Sequence, residues 1–154
     1  MKNKALFPGS FDPFTVGHES IVKRALPLFD ELIIGIGLNH EKNKYFPLEK
    51  RVEWIERLFE HEPKLSVCVY EGLTVDFCKK INAGFLLRGL RTSADFEYER
   101  AVGQTNKVLN GGIETVFLLT HPEHTFISST IVKDVYKNGG DISKFIPEGM
   151  EIDV

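Results

Sequence analysis

Cysteine is scarce in this chain of 154 residues. There are two, Cys68 and Cys78, in the apolar contexts Ser-Val-Cys-Val and Asp-Phe-Cys-Lys. No Cys/His spacing suggests zinc, and reduced core thiols are expected, with a disulfide the minority reading. Long hydrophobic runs are missing as well. No apolar stretch approaches membrane-spanning length, and Met-Lys-Asn-Lys-Ala-Leu-Phe-Pro-Gly-Ser at the start carries no signal-peptide hydrophobic segment. A cytoplasmic protein with no membrane partner is the expectation. Excess charge of one sign is also lacking. A net charge of −3 gives no bulk attraction for nucleic acid or anionic membrane, so any phosphate site must come from local basic residues and backbone dipoles. Repeats, linkers and low-complexity segments are absent, which points to a single domain over 1–154. Such a domain buries about two-thirds of its unfolded surface and needs no staples.

Strand and helix patterns alternate. Lys4–Phe7 reads as a short strand stopped by Pro8-Gly9. Ile21, Val22, Ala25, Leu26 and Phe29 recur at helical spacing after a start near Gly17, and Pro27 should bend or end that helix. Glu31–Leu38 is a continuous β-branched run, as expected of a strand buried on both faces. After the polar loop 40–44, a second helix carries Leu48, Val52, Ile55 and Phe59 inward and Glu49, Arg51, Glu53 and Glu56 outward. Leu65–Tyr70 is the third strand, and Thr74 can cap a short helix reaching Ile81. Phe85–Leu87 is the fourth strand, Ala94–Leu109 a long amphipathic helix stopped by Asn110-Gly111-Gly112, and Thr115–Leu119 the fifth strand. A last helix spans Ser129 to Lys137, and the tail from Asp141 is weakly patterned. This order implies an α/β domain with a mainly parallel sheet of five strands flanked by helices. Ligands of such sheets bind beyond the carboxyl ends of the strands.

The unusual residues fall at those ends. Pro8-Gly9-Ser10-Phe11-Asp12-Pro13-Phe14-Thr15-Val16-Gly17-His18 is a stiff loop running into a helix start, where free N–H groups and the helix dipole favour an anion. His18 can donate a ring N–H to a phosphate oxygen, and the rigid loop before it sets it apart from an ordinary surface histidine. After the fourth strand, Arg88-Gly89-Leu90-Arg91 puts two guanidinium forks beside a glycine that lets a ligand approach the main chain. Asp95 and Glu99 share a helix face. Asp95 reads as a helix-dipole residue, while Glu99, one turn deeper, can face the site and accept from a ribose. Ser128, Ser129 and Thr130 offer three hydroxyls at a helix start where one suffices for capping. Lys42 follows the second strand at the same edge, and Lys44 is a weaker competitor. His121 and His124 are too loosely placed to form a metal site and read as solvent-facing turn residues.

The inventory has several cationic donors and two helix N-termini. It has no Cys or Ser paired with an evident base, no carboxylate dyad and no Walker-type Gly-Lys-Thr. That combination fits direct phosphoryl or nucleotidyl transfer, where catalysis is positioning and charge stabilisation.

Thr15-Val16-Gly17-His18 resembles the (T/H)xGH signature of the nucleotidyltransferase superfamily, and Ile127-Ser128-Ser129-Thr130 with Val132-Lys133 resembles its second signature. Together with Pro-Gly-Ser-Phe-Asp-Pro, Arg88-Gly-Leu-Arg91 and Asp95-Phe-Glu-Tyr-Glu99, the sequence is similar to the bacterial phosphopantetheine adenylyltransferase family, colinearly from Lys4 to Pro147. The resemblance implies a Rossmann-like doubly wound fold, transfer of AMP from ATP to 4′-phosphopantetheine with release of pyrophosphate, Mg²⁺ carried with ATP, and a homohexamer. It implies that Ser10 and Phe11 touch ATP, Ser10 also the acceptor phosphate, and that His18 stabilises the transition state. It further implies that Lys42, Thr74 and Arg88 hold phosphopantetheine, and that Gly89, Leu90, Arg91 and Glu99 bind ATP, with His124, Thr125, Phe126, Ile127, Ser128, Ser129 and Thr130 closing over its phosphates and adenine. Three departures are visible: Ser10 where many members have Thr, His124 where some have Trp, and an end soon after Pro147 in place of the final helix of longer members, which bears on oligomer contacts.

The expected chemistry is in-line attack by the acceptor phosphate on the α-phosphorus of ATP, with His18, Lys42 and Arg91 neutralising charge. The alternatives are a related nucleotidyltransferase with another phosphate acceptor and a nucleotide-binding module without catalysis.

Overall fold

The computed structural model describes residues 2–39 and 41–152; His40, in the polar loop after the second strand, lies outside them. The elements run β1 (Lys4–Gly9), α1 (Val16–Ala25), β2 (Glu31–Gly37), α2 (Leu48–Leu58), β3 (Leu65–Tyr70), α3 (Thr74–Ile81), β4 (Phe85–Leu90), α4 (Ser93–Leu109), β5 (Glu114–Leu119) and α5 (Ser129–Lys137). All pairings are parallel, in the order β3-β2-β1-β4-β5. This is the doubly wound arrangement, in which the chain starts at the centre and builds outward in both directions.

Strand side chains alternate between two cores, as the period of two requires. Ala5, Phe7, Leu32, Ile34, Ile36 and Leu87 join the larger core under α1, α2 and α5. Leu6, Ile33 and Leu86 pack with Val75 and Cys78 of α3 on the opposite face. Each of the larger apolar side chains among these, the valine, leucines, isoleucines and phenylalanine, contributes roughly 1.5–3 kcal/mol by leaving water. The weakly patterned tail belongs to the larger core: Ile142, Ile146 and Met150 are buried, and Val16 N–H donates to the Phe145 carbonyl at 2.9 Å. Both thiols are free. Cys78 is buried, which pushes its thiol up to about 11 and makes it a packing group.

Two elements correct the sequence reading. Arg51 was expected on the outer face of α2, yet it is fully buried. It lies three residues after Leu48 and four before Ile55, so helical geometry puts it on the inward stripe despite its charge. Thr74 was expected as a cap, but Leu73 holds the cap position and the Thr74 hydroxyl bonds the Tyr70 hydroxyl at 2.9 Å. Helix α1 gives way at Leu26 to a 3₁₀ turn containing Pro27, as the missing N–H of proline dictates.

The sheet also prepares a cleft. β1 stays in register with β2 as far as Gly9↔Ile36, but its pairing with β4 covers only Ala5↔Phe85 and Leu6↔Leu86. Pro8 has no N–H to extend that second ladder. The carboxyl halves of β1 and β4 therefore separate where the strand order reverses, the place such folds use for ligands.

Candidate active site

The split between β1 and β4 opens into two adjoining cavities. One, of about 310 Å³, is lined by Ser10, Lys44, Tyr70, Thr74, Tyr98 and Asn106 among others. The other, of about 290 Å³, is lined by Phe11, His18, Gly89, Arg91, His124 and Ser129 among others. Pro8, Gly9, Ser10, Arg88 and Glu99 line both and form the shared wall. Gly9 has to be glycine: a Cβ there would stand 2.9 Å from the Phe11 ring.

The Ser10–Thr15 loop turns at Phe11, whose φ of 48° is in the left-handed region that costs a non-glycine residue on the order of 1 kcal/mol. Packing holds it there. The Phe11 ring is buried with Phe7 and Phe14, and these rings surround the His18 imidazole, at 5.0 Å from Phe11 and 5.3 Å from Phe14. Thr15 caps α1 by accepting from His18 N–H at 3.4 Å, and His18 Nδ1 accepts from Thr15 N–H at 3.0 Å. This reciprocal cap fixes the tautomer. Nδ1 is an acceptor, so the ring proton sits on Nε2, and the neutral imidazole is a donor there. Burial among the phenyl rings, with Arg88 and Arg91 adding repulsion, holds the His18 pKa down to about 3.

The arginines are paired by α4. Arg88 donates through Nε at 3.0 Å and Nη2 at 2.6 Å to the Glu99 carboxylate and through Nη1 at 2.7 Å to the Pro8 carbonyl, bridging the separated strands. Arg91 follows β4 directly. Its main-chain N–H donates to Asp95 at 3.2 Å and its Nε lies 3.3 Å from the same carboxylate, which among the described residues leaves both terminal nitrogens for an anion. Asp95 is thus a partner of Arg91 as well as a first-turn acid. Glu99, the one buried residue of α4, is occupied by Arg88.

At the third loop, Ser128 caps α5 by accepting from Ile131 N–H, and the Ser129 hydroxyl donates to the Pro13 carbonyl at 2.7 Å, tying this loop to the first. His124, expected to face solvent from a turn, instead faces the second cavity because its turn folds over the cleft, with Nδ1 buried and unpartnered among the described residues. The structure brings Ser10, Phe11, His18, Arg88, Gly89, Arg91, Glu99, His124, Ile127, Ser128 and Ser129 around one cleft, with Thr74 in the adjoining cavity. Leu90 is buried in β4, Lys42, Phe126 and Thr130 are exposed, and Thr125 is half-buried; none of these five lines either cavity. Lys44 lines the first cavity in place of Lys42. Arg88, Gly89 and Leu90 are strand residues, because β4 stays paired to β5 through Leu90↔Leu119.

Sequence reasoning missed a buried charged frame beneath the rim. Asp12, 1% exposed, accepts from Tyr45 N–H at 3.0 Å, Phe46 N–H at 2.9 Å and Lys133 Nζ at 3.1 Å. Burial works to raise its pKa, but these three donors prevail and hold the carboxyl below its ordinary value. Arg51 donates to the Ser10 carbonyl at 2.7 Å, the Phe46 carbonyl at 2.9 Å and the Glu41 carboxylate. The available signal was the inward spacing of Arg51 on α2.

A cytidylyltransferase-like family model matches residues 6–135. The phosphopantetheine adenylyltransferase of Flavobacterium psychrophilum is 56% identical over 97% of this chain and 98% of its own length. That of Bacteroides thetaiotaomicron is 54% identical with the same coverage. Among solved structures, a putative nicotinate-nucleotide adenylyltransferase from Vibrio parahaemolyticus superposes with a TM-score of 0.72 at 19% identity, covering 97% of this chain and 96% of that one. At that identity the likeness speaks to the fold.

Proposed function

The chain belongs to the cytidylyltransferase-like family and, within it, to the phosphopantetheine adenylyltransferases, and from this premise we infer that it transfers the adenylyl group of ATP to 4′-phosphopantetheine, giving dephospho-coenzyme A and pyrophosphate. The observation that carries the reading to this chain's own residues is the pair of cavities meeting at Ser10 and Arg88. A two-substrate reaction without a covalent intermediate needs its reactants side by side, with cations at the junction. ATP occupies the His18–Arg91 side. The acceptor occupies the Tyr70–Asn106 side with its phosphate at Ser10. The acceptor phosphate attacks the α-phosphorus in line and pyrophosphate leaves.

His18 donates through Nε2 to an equatorial oxygen, and Arg91 exchanges part of its contact with Asp95 for the polyphosphate. Lys42 adds a third cation on approach of its turn, with Lys44 already in the cavity wall. Gly89, Leu90 and Glu99 support the nucleotide from β4 and α4, while the segment from His124 to Thr130 closes over it. Mg²⁺ would come with ATP, since it favours phosphate oxygens and retained water. The nearby carboxylates suit an ion held that way: Asp12, Asp95 and Glu99 already face Lys133, Arg91 and Arg88. Bound there, the ion would screen charge on the phosphates.

A homohexamer in the cytoplasm completes the reading. Its support is the surface of α4 and β5, where Tyr98, Val108, Leu109 and Leu119 are exposed. A panel of phosphate acceptors scored by pyrophosphate release tests the assignment. Phosphopantetheine should be strongly preferred over nicotinamide nucleotide or glycerol phosphate. Binding of ATP with no pyrophosphate from any acceptor would instead indicate a non-catalytic module.

A further inference from the structure

The buried charges under the rim require a reason, because apolar side chains of similar volume would stabilise that interior as well or better. Arg51 and Asp12 act on one short segment, residues 41–46. At its start, Arg51 Nη2 binds the Glu41 carboxylate. At its end, Arg51 Nε donates to the Phe46 carbonyl, while Asp12 accepts from Tyr45 and Phe46 N–H. The remaining Arg51 nitrogen, Nη1, donates to the carbonyl of Ser10, the residue at the junction of the two cavities. Lys133 ties Asp12 to α5. Two side chains from outside the segment thus fasten both of its ends to the Ser10 loop, and both candidate phosphate-binding lysines, Lys42 and Lys44, lie between the fastenings.

We propose that Arg51 is a positioning residue: through Glu41 and Phe46 it fixes the lysine-bearing segment to the Ser10 loop, so that the cations arrive in register with the reacting phosphates. This rests on the adenylyl-transfer reading above. Arginine is required because one planar fork reaches three acceptors in different directions, which a lysine ammonium on a single stem does not reproduce. Glu41 is the useful handle. It sits in a turn, its side chain is 30% exposed, and it lines neither cavity.

The test measures kcat, KM for each substrate and amide hydrogen exchange at Tyr45 and Phe46 for wild type, Glu41→Ala, Arg51→Lys, Lys42→Ala and Glu41→Ala with Lys42→Ala. Glu41→Ala should speed exchange at both amides by about tenfold. It should lower kcat by about tenfold or more, while KM for ATP moves less than about twofold. Arg51→Lys should behave like Glu41→Ala. In the Lys42→Ala background, Glu41→Ala should cost less than a further factor of about two, because the group it positions is gone. Unchanged exchange, a wild-type kcat in Glu41→Ala, or losses that multiply in the double variant would each overturn the proposal. Wild-type protein that releases no pyrophosphate would refute the reaction itself. The exchange rates then decide the brace alone, faster rates upholding it and unchanged rates overturning it.

Discussion

The imidazole of His18 should remain neutral far below the range in which histidine normally titrates. Its pKa is held at about 3 against an ordinary 6.5, so at pH 5 the folded ring is almost wholly neutral, whereas a free histidine is about 3% neutral. The sign of the stability effect follows. Between these two values the unfolded chain binds a proton that the folded chain refuses, so stability falls as pH drops through 6.5. At pH 5 the loss from this one group is about 2 kcal/mol, from 1.5 pH units at 1.36 kcal/mol each. Urea denaturation at pH 7.5 and pH 5 should show wild type losing about 2 kcal/mol more than His18→Gln, which has no titrating ring. Nitrogen chemical shifts of the ring should identify the Nε2-protonated tautomer at both pH values. Added ATP should move the titration upward, because phosphate charge favours the imidazolium. A free-enzyme midpoint near 6, or the Nδ1-protonated tautomer, would refute the reasoning from the Thr15–His18 cap.

Other substitutions read other parts of the site. His18→Ala should cut turnover by ~10²–10³ while ATP affinity by calorimetry stays nearly unchanged; near-normal turnover removes His18 from the mechanism. Glu99→Gln retains shape but removes the charge that orders Arg88. It should cost about 2 kcal/mol in urea denaturation and raise KM for phosphopantetheine more than for ATP. Val108→Glu with Leu119→Lys should disperse the assembly in sedimentation without unfolding the chain, and a monomeric wild type would contradict the hexamer.

Much of the fold was legible because it is written in local periodicity. The β-branched run of β2 and the apolar stripes of α1 and α2 announce a parallel sheet wrapped by helices. The ends of β1 and β4 were not legible. Pro8-Gly9 and Arg88-Gly89 look like loop residues, but their backbones continue to pair with Gly35, Ile36, Phe117 and Leu118. The loops around the cleft could be located because their glycines, hydroxyls and arginines are out of place in a core pattern. The frame beneath them could not. Asp12 meets Lys133 across 121 residues of chain, and Arg51 bears a charge that suggests solvent while its spacing points inward. Ile142, Ile146 and Met150 were passed over because Pro147 and Gly149 interrupt any helical period.

The most direct measurement of the central claim is the mass of the acceptor after incubation of the wild-type protein with ATP, Mg²⁺ and 4′-phosphopantetheine. Two substrates held across the Ser10–Arg88 wall, with attack at the α-phosphorus, should yield an acceptor heavier by one adenylyl group and one pyrophosphate per product. An unchanged acceptor, or one heavier by a single phosphoryl group, would contradict it.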